Sequence, residues 1–515
     1  MATIPPTSSS NSTGSVATVV RAGVATSTGN FIVNLVNLGR DVAIALAFGT
    51  AITVDAFFLA LMVPVFMATV AIGAYRNTVV PILERIIHEN GKDGVAGLIS
   101  RLMIGNLRIV FAAGAGLALL APFYAPLLAG RLPLEAATLI KTLSWAVLPM
   151  ALISAYASLA EGPLQTLGMY FWPTVFRAAV PLGVALGAIL WGSTCGIWGA
   201  CYGGALGSVV HLALTYLLLP KRTHTSDEWA SYDPAISREI RQQFGFLSAS
   251  VAIAYISPLI DQWMASFLET GAVSVLSYAN RLVVGVASVA TSALSPTLLP
   301  HFSRLAARGE THRFHPHYIA ILRMAWWGGI ALAGVMWLIA EPAVALLYEH
   351  GNFIRADSFA VSHMVGWLCI QFPPMLAGVV GSTLLSASGH NRVFLPLAIL
   401  IAIVNAGGNL VLMPYYGLSG IALSTIVTYL VSLVVINIVL VRKGIIRIHR
   451  SLLRDLTISL TTAGVIGTFL IITNGKLSVI PTLEQFLLCT VAACVYCAIA
   501  YVCMKKVFST IRKAV

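Results

Sequence analysis

Charge is scarce in this sequence. Only 10% of its 515 residues are Asp, Glu, Lys or Arg, and the acids number 19 against 31 lysines and arginines. A soluble globular domain carries about 25% charged residues. Length alone would suggest about three domains of ~150 residues, yet there is too little charge to clothe three surfaces. That scarcity argues against a soluble enzyme, a nucleic-acid binder and a disordered scaffold alike.

Reaction chemistry is missing too. There is no Walker motif, no nucleophile elbow and no HExxH run. The chain therefore reads as a non-enzyme without a cofactor, and any pumping must draw on an ion gradient, the membrane potential or the substrate's own gradient. The cysteines (Cys195, Cys201, Cys369, Cys489, Cys494, Cys497 and Cys503) lie within or beside apolar runs, none at metal-ligand spacing with His or Asp. Cys494-Val-Tyr-Cys497 has redox spacing, but its flanks from Leu487 to Val502 read as membrane helix, so buried small apolar residues are expected there. Residues Met1 to Ser15 are rich in Ser, Thr and Pro, without the early basic cluster of a secretory signal.

What the sequence does have is apolar length. Ala, Val, Ile, Leu, Met, Phe, Trp, Tyr and Cys make up 58% of it, and the mean hydropathy is +0.87. A membrane helix needs roughly 20 mostly apolar residues. Candidate spans fall near 24–48, 55–80, 102–128, 138–160, 168–192 and 196–219. After a polar break they resume near 244–268, 272–299, 317–340, 357–387, 392–413 and 417–441, with two more near 454–473 and 484–504. The expectation is an all-α polytopic membrane protein of about fourteen transmembrane helices.

The formal net charge of +12 fits that reading through the positive-inside rule. Lys221, Arg222, Arg238 and Arg241 share one loop, Arg304, Arg308 and Arg313 a second, and Arg442, Lys443, Arg447 and Arg450 a third. Arg85 and Lys92 precede them, and Lys505, Lys506, Arg512 and Lys513 end the chain. The opposite-side loops offer little beyond Arg131, Arg355 and Lys476. An even span count with both termini cytoplasmic follows.

Two stretches match at an offset of 219 residues, Val54 through Arg85 against Val273 through Arg304. Ala60 meets Ala279, Thr78 meets Thr297, Pro81 meets Pro300 and Arg85 meets Arg304. Six spans in each half keep the same membrane orientation, which implies two six-helix lobes in parallel repeat plus two C-terminal helices. The domain plan is a disordered tail over 1–23, an N-lobe over 24–220, a cytoplasmic loop over 221–242, a C-lobe over 243–442, and two last spans with a basic tail over 443–515.

An ionisable group inside a span costs several kcal/mol unless it faces water, protein or a partner. The first span holds Arg40 and Asp41, the second opens with Asp55 and carries Arg76 near its inner end, and the eighth contains Asn280 and Arg281. Asp261 nearly repeats Asp41 at an offset of 220, Arg177 lies in span five and Glu161 ends span four. Arg40 and Asp41 are adjacent, so they should point to different helix faces and not simply neutralise each other. Asp55 and Glu161 fit an interfacial or capping role, and Arg76 fits snorkelling to the headgroups. Arg281 is too deep to snorkel. Arg40 and Arg281 are expected to line a wet central cavity, and cations with few matching acids suit an anionic ligand carrying phosphate.

Several stretches resemble the MurJ (MviN) family of lipid II flippases, within the multidrug/oligosaccharidyl-lipid/polysaccharide exporter superfamily. They are Gly39-Arg-Asp-Val-Ala-Ile-Ala-Leu-Ala-Phe-Gly49, Thr53-Val-Asp-Ala-Phe-Phe58 with Pro64 following, and Gly73-Ala74 leading to Val80-Pro-Ile-Leu83. In the second half they are Ser277-Tyr-Ala-Asn-Arg-Leu282, Leu298-Leu-Pro300 and Leu347-Tyr-Glu-His-Gly-Asn-Phe353. The resemblance runs in order over roughly residues 30 to 440.

It implies a V-shaped flippase that moves an undecaprenyl-diphosphate-linked saccharide, lipid II or a related precursor, from inner to outer leaflet by alternating access in a bacterial inner membrane. Cavity arginines would hold the diphosphate and sugar, and the last two helices would form a groove for the lipid tail. The resemblance carries over to Arg40, Asp41, Asp55 and Arg281, and with Arg76 and Asn280 these make the candidate substrate-binding set, with membrane lipids and a coupling ion or the membrane potential as further partners and no metal site. The chain departs from the family pattern where arginines give way to Asn34 and Ala68, and acids to Ile72, Asn280 and Val284. Arg76, two turns below Ala68, would return a cation to that face. An exopolysaccharide-unit flippase, an ion-coupled small-molecule exporter using Asp41, Asp55 or Asp261, and a non-transporting envelope scaffold stand as alternatives.

Overall fold

A computed structural model of the protein describes residues 12–90, 95–219 and 234–447. Among these the secondary structure is helical throughout, with no strand. The first half comprises α1 (Ser12–Phe48), α2 (Ile52–Asn90), α3 (Val95–Ala129), α4 (Leu134–Leu159), α5 (Glu161–Thr166), α6 (Phe171–Phe176), α7 (Ala179–Cys195) and α8 (Trp198–Leu218). The second comprises α9 (Pro234–Ala265), α10 (Ala272–Ala307), α11 (Phe314–Tyr348), α12 (Arg355–Cys369), α13 (Phe372–Ala387), α14 (Phe394–Tyr416) and α15 (Leu418–Arg442).

Among the described residues, eleven helical segments are long and apolar enough to cross a membrane, and α12 with α13, bent by 41°, makes a twelfth. Each of the twelve spans expected before residue 442 therefore coincides with such a segment. The protein is an all-helical, polytopic membrane protein. Large apolar side chains such as Phe111, Leu119, Phe123 and Leu217 stand exposed around the helices, as lipid-facing surfaces require.

Two boundaries differ from expectation. The helix begins at Ser12, inside the stretch read as a disordered tail, because Val16-Ala-Thr-Val-Val20 continues the apolar pattern of the span. Likewise α9 begins at Pro234, inside the expected loop; proline is well suited to a first helical position. The expected spans 454–473 and 484–504, the basic tail, and Cys489, Cys494, Cys497 and Cys503 lie outside the described residues, as do residues 1–11 and most of the loop.

Helices α7 and α8 meet through glycine. Gly183 and Gly187 on α7 face Gly199, Gly203 and Gly207 on α8, and a Cβ at Gly183, Gly187 or Gly203 would run into the backbone of the opposite helix. In a membrane no hydrophobic force draws helices together, so small residues that allow close backbone approach carry the association.

The two halves of the chain are joined at the Phe48 end of α1. Tyr278 Oη on α10 donates to the Gly49 carbonyl at 3.1 Å. Asn352 donates its backbone N–H to the Leu46 carbonyl at 3.0 Å, and Thr50 Oγ1 donates to Asp357 at 2.6 Å. Beneath this seam Phe58, Tyr278, Tyr348 and Phe353 form a cluster of edge-on and tilted rings at 5.3–5.9 Å. The seam and the buried core around Ile44, Phe57 and Leu59 close one end of the molecule and set the depth of the site.

Candidate functional site

Beyond the aromatic cluster, α1 and α10 bring together charges that lie 240 residues apart. Asp41 Oδ2 accepts from Arg281 Nε at 2.7 Å, and Asp41 Oδ1 accepts from Arg40 Nη2 at 2.6 Å. The Asp41 side chain is 2% exposed, whereas those of Arg40 and Arg281 are 16% and 31% exposed. One buried carboxylate thus orients two guanidinium forks that reach open space. This corrects the expectation that adjacent Arg40 and Asp41 would leave each other unpaired. Successive positions on a helix do diverge, but the arginine side chain is long enough to fold back onto its neighbour.

Arg40 opens on a cavity of about 720 Å³. Its wall includes Arg40, Arg177 and three amides of α1, Asn30, Asn34 and Asn37, together with Ser154, Ser288 and Ala68. Asn34 Nδ2 donates to Ser288 Oγ at 3.3 Å, a contact between α1 and α10. A second cavity of about 350 Å³ is lined by Asp41, Asn280, Arg281 and Val284, and Arg40 borders both. The departures at Asn34, Ala68 and Ile72 face the first cavity, and those at Asn280 and Val284 face the second.

Asp55 belongs to neither cavity. It is fully buried, and its oxygens accept the backbone N–H groups of Gly271 at 2.6 Å and Ser274 at 2.8 Å. These donors open α10, where a helix leaves N–H groups unpaired and its dipole favours negative charge. Gly271 holds φ +92°, a backbone conformation that suits glycine. Asp55 is therefore a cap between the two halves rather than part of the cavity wall, because it sits in the first turn of α2 at the closed end.

Arg76 is likewise absent from the cavity lining. Its Nη2 donates to Gln165 Oε1 on α5 at 2.9 Å, so it does not restore a cation beside Ala68. Arg177 does face the cavity. Its Nη2 donates to Asn30 Oδ1 at 2.6 Å, and its Nε stands 3.1 Å from Glu161 Oε1. Arg177 was visible in the sequence as a charge within a span. Nothing in the sequence marked that it would line the cavity beside Asn30, 147 residues away.

A further polar cluster is buried in the second half. Asp261 on α9 accepts from Asn405 and Asn409 of α14 at 3.0 and 2.7 Å, and from Thr425 of α15 at 3.2 Å. The Oδ1 atoms of Asn405 and Asn409 are buried without hydrogen-bond partners. Among the described residues no group of three or more His, Cys, Asp or Glu is arranged to hold a metal ion.

Comparison with known proteins places this architecture. The model of the family described as lipid II flippase MurJ matches residues 44–511. The lipid II flippase MurJ of Burkholderia cenocepacia is 25% identical over 405 residues, covering 75% of this chain and 77% of that protein. A probable lipid II flippase MurJ of Vibrio cholerae is 25% identical over 427 residues, covering 79% and 80%. Among solved structures, a lipid II flippase MurJ in an inward closed conformation superposes with a TM-score of 0.72 at 19% identity, over 93% of this chain and 99% of that one. An inward-facing multidrug-resistance MATE transporter superposes with a TM-score of 0.63 at 16% identity, over 85% and 96%. With a family match across most of its length and the fold to go with it, the chain belongs to the lipid II flippase MurJ family.

Proposed function

We propose that this protein translocates lipid II, the cargo named for its relatives, from the inner to the outer leaflet of a bacterial inner membrane for peptidoglycan synthesis. The observation that carries the reading is the Arg40–Asp41–Arg281 assembly, two partly exposed guanidinium groups fixed by one buried carboxylate at a 350 Å³ cavity, with Arg40 also bordering the 720 Å³ one. A diphosphate is the natural ligand of paired arginine forks. Arg40 and Arg281 would hold it, Asp41 would set their geometry, and Asn280 would border the same space.

In this reading the halves act as two six-helix lobes, 24–220 and 243–442, rocking about the cavity. Two further spans within 443–515 bring the total to fourteen, and both termini are cytoplasmic. The seam of Gly49, Thr50, Asn352 and Asp357 then lies at the outer surface and the cavity opens inward. Alternating access requires that this seam break. The protein moves its cargo without covalent chemistry, and the surrounding lipids solvate its apolar faces.

A coupling ion fits the Asp261 cluster. A carboxylate with two buried, unpartnered amide oxygens offers the hard oxygen donors a small cation takes. Bound there, it would supply charge compensation for Asp261 and tie α9 to α14 and α15.

The test is complementation. A host depleted of its own lipid II flippase should regain growth with this chain, and Arg281→Ala or Arg40→Ala should abolish rescue. Failure of the parent chain to rescue despite good membrane expression would refute the peptidoglycan assignment.

A further inference from the structure

We infer that Arg177 is a second anion contact in the cavity, receiving an acidic group on the head of the cargo, remote from the anion held by Arg40 and Arg281. This deepens the transport reading above and rests on it. Arg177 caps the short helix α6 just before α7, and its side chain lines the cavity. Its side chain is 35% exposed, and that of Glu161, its ion-pair partner, is 7% exposed. A ligand in the cavity therefore meets the cation first, with the carboxylate behind it. The arrangement repeats that of Asp41, buried behind Arg40 and Arg281.

The guanidinium is held on two sides. Nε lies 3.1 Å from Glu161 Oε1 and 3.4 Å from the Thr174 carbonyl, and Nη2 donates to Asn30 at 2.6 Å. Among the described residues Nη1 has no hydrogen-bond partner. A fork fixed in this way is pre-organised for a carboxylate.

The position of Asn30 gives the separation. Asn30 and Arg40 are ten steps apart along α1, about 15 Å along the axis at 1.5 Å per residue. That is far longer than a diphosphate, so one such group cannot engage both ends. Between them Asn34 and Asn37 present amides to the cavity, which donate and accept as sugar hydroxyls require. The wall thus reads as cation, amide stripe, cation. Its best-matched cargo has a diphosphate at one end, a polar saccharide in the middle and an acid at the far end.

The test measures binding of two probes to the full chain in lipid nanodiscs: lipid II with free stem-peptide carboxylates, and lipid II with those carboxylates amidated. Arg177→Ala should weaken binding of the first about tenfold, the worth of one charge-assisted contact, and leave the second within about twofold. Arg177→Lys should recover part of the loss, and Arg177→Gln should reproduce it if the alanine variant is unstable. Equal losses for both probes, or no loss for either, would overturn the inference. Arg281→Ala should weaken both probes alike, and if it weakens neither, the transport reading falls and this inference with it. If Arg281→Ala behaves as expected while Arg177→Ala does not discriminate, only the second contact is lost.

Discussion

Asp41 Oδ2 lies 2.7 Å from Arg281 Nε across the junction of α1 and α10, while Asp41 Oδ1 holds Arg40. On the proposed reading, an incoming diphosphate would compete with Asp41 for these two cations, and part of its binding energy would go into loosening a contact between the two halves. Asp41→Asn cannot satisfy two guanidinium groups. It should raise affinity for a diphosphate-bearing lipid about 3- to 10-fold while slowing transport, since release also becomes harder. Binding and flux measured on the same preparation check this.

The Asp55 cap makes a prediction of a different kind. Asp55→Ala removes an acceptor from two buried N–H groups at the start of α10, and hydrogen bonds to charged groups are worth about 1.5–3 kcal/mol each. The closed seam should lose about 3–6 kcal/mol. A cysteine at Thr50, which sits in that seam, should then react faster with a membrane-impermeant maleimide than it does in the parent. Asp55→Asn should show roughly half the effect, because the amide keeps one acceptor oxygen.

The glycine contact of α7 and α8 sets a packing prediction. Gly203→Val adds bulk where even a Cβ would strike the backbone near Gly183 and Gly187, and overpacking of this sort costs about 1–3 kcal/mol or more. A lower melting temperature and a broader size-exclusion profile are expected. Gly285→Val, at a glycine on α10 with open space around it, should leave both unchanged.

A pH dependence is expected from α10 beyond its span. His301 Nε2 lies 2.9 Å from His317 Nδ1, with the rings stacked. Burial first, and then the nearby charges of His317 and Arg304, push the His301 pKa below its ordinary value. The unfolded chain therefore binds a proton here more readily than the folded one. This contribution to stability is complete above about pH 6.5, the unfolded value, and is lost as pH falls below it. The melting temperature should drop between about pH 7.5 and 5.5, and drop less in His301→Gln. An equal drop in both would contradict the assignment.

Much of the fold was legible because apolar length is a local property. The twelve spans before residue 442, including the long stretch that bends between Cys369 and Phe372, follow from composition alone. Arg40 and Arg281 stood out because an isolated cation in an apolar helix needs an explanation. What the sequence could not display were partnerships over long separations. Asp55 fitted a capping role in the sequence, but its donors, Gly271 and Ser274, lie more than 200 residues away and could not be read from it. Arg76 had suitable helical spacing to face the cavity, but Gln165 captured it. Arg177 lacked any cue in the sequence that tied it to Asn30, 147 residues away.

The most direct test of the central claim is the amount of lipid II that a lipid II-cleaving enzyme can reach from outside spheroplasts depleted of their own flippase. Expression of this chain should restore cleavage to most of the undepleted level, and Arg281→Ala should return it to the depleted baseline. Restoration undiminished by both Arg281→Ala and Arg40→Ala would contradict transport through the arginine-lined cavity.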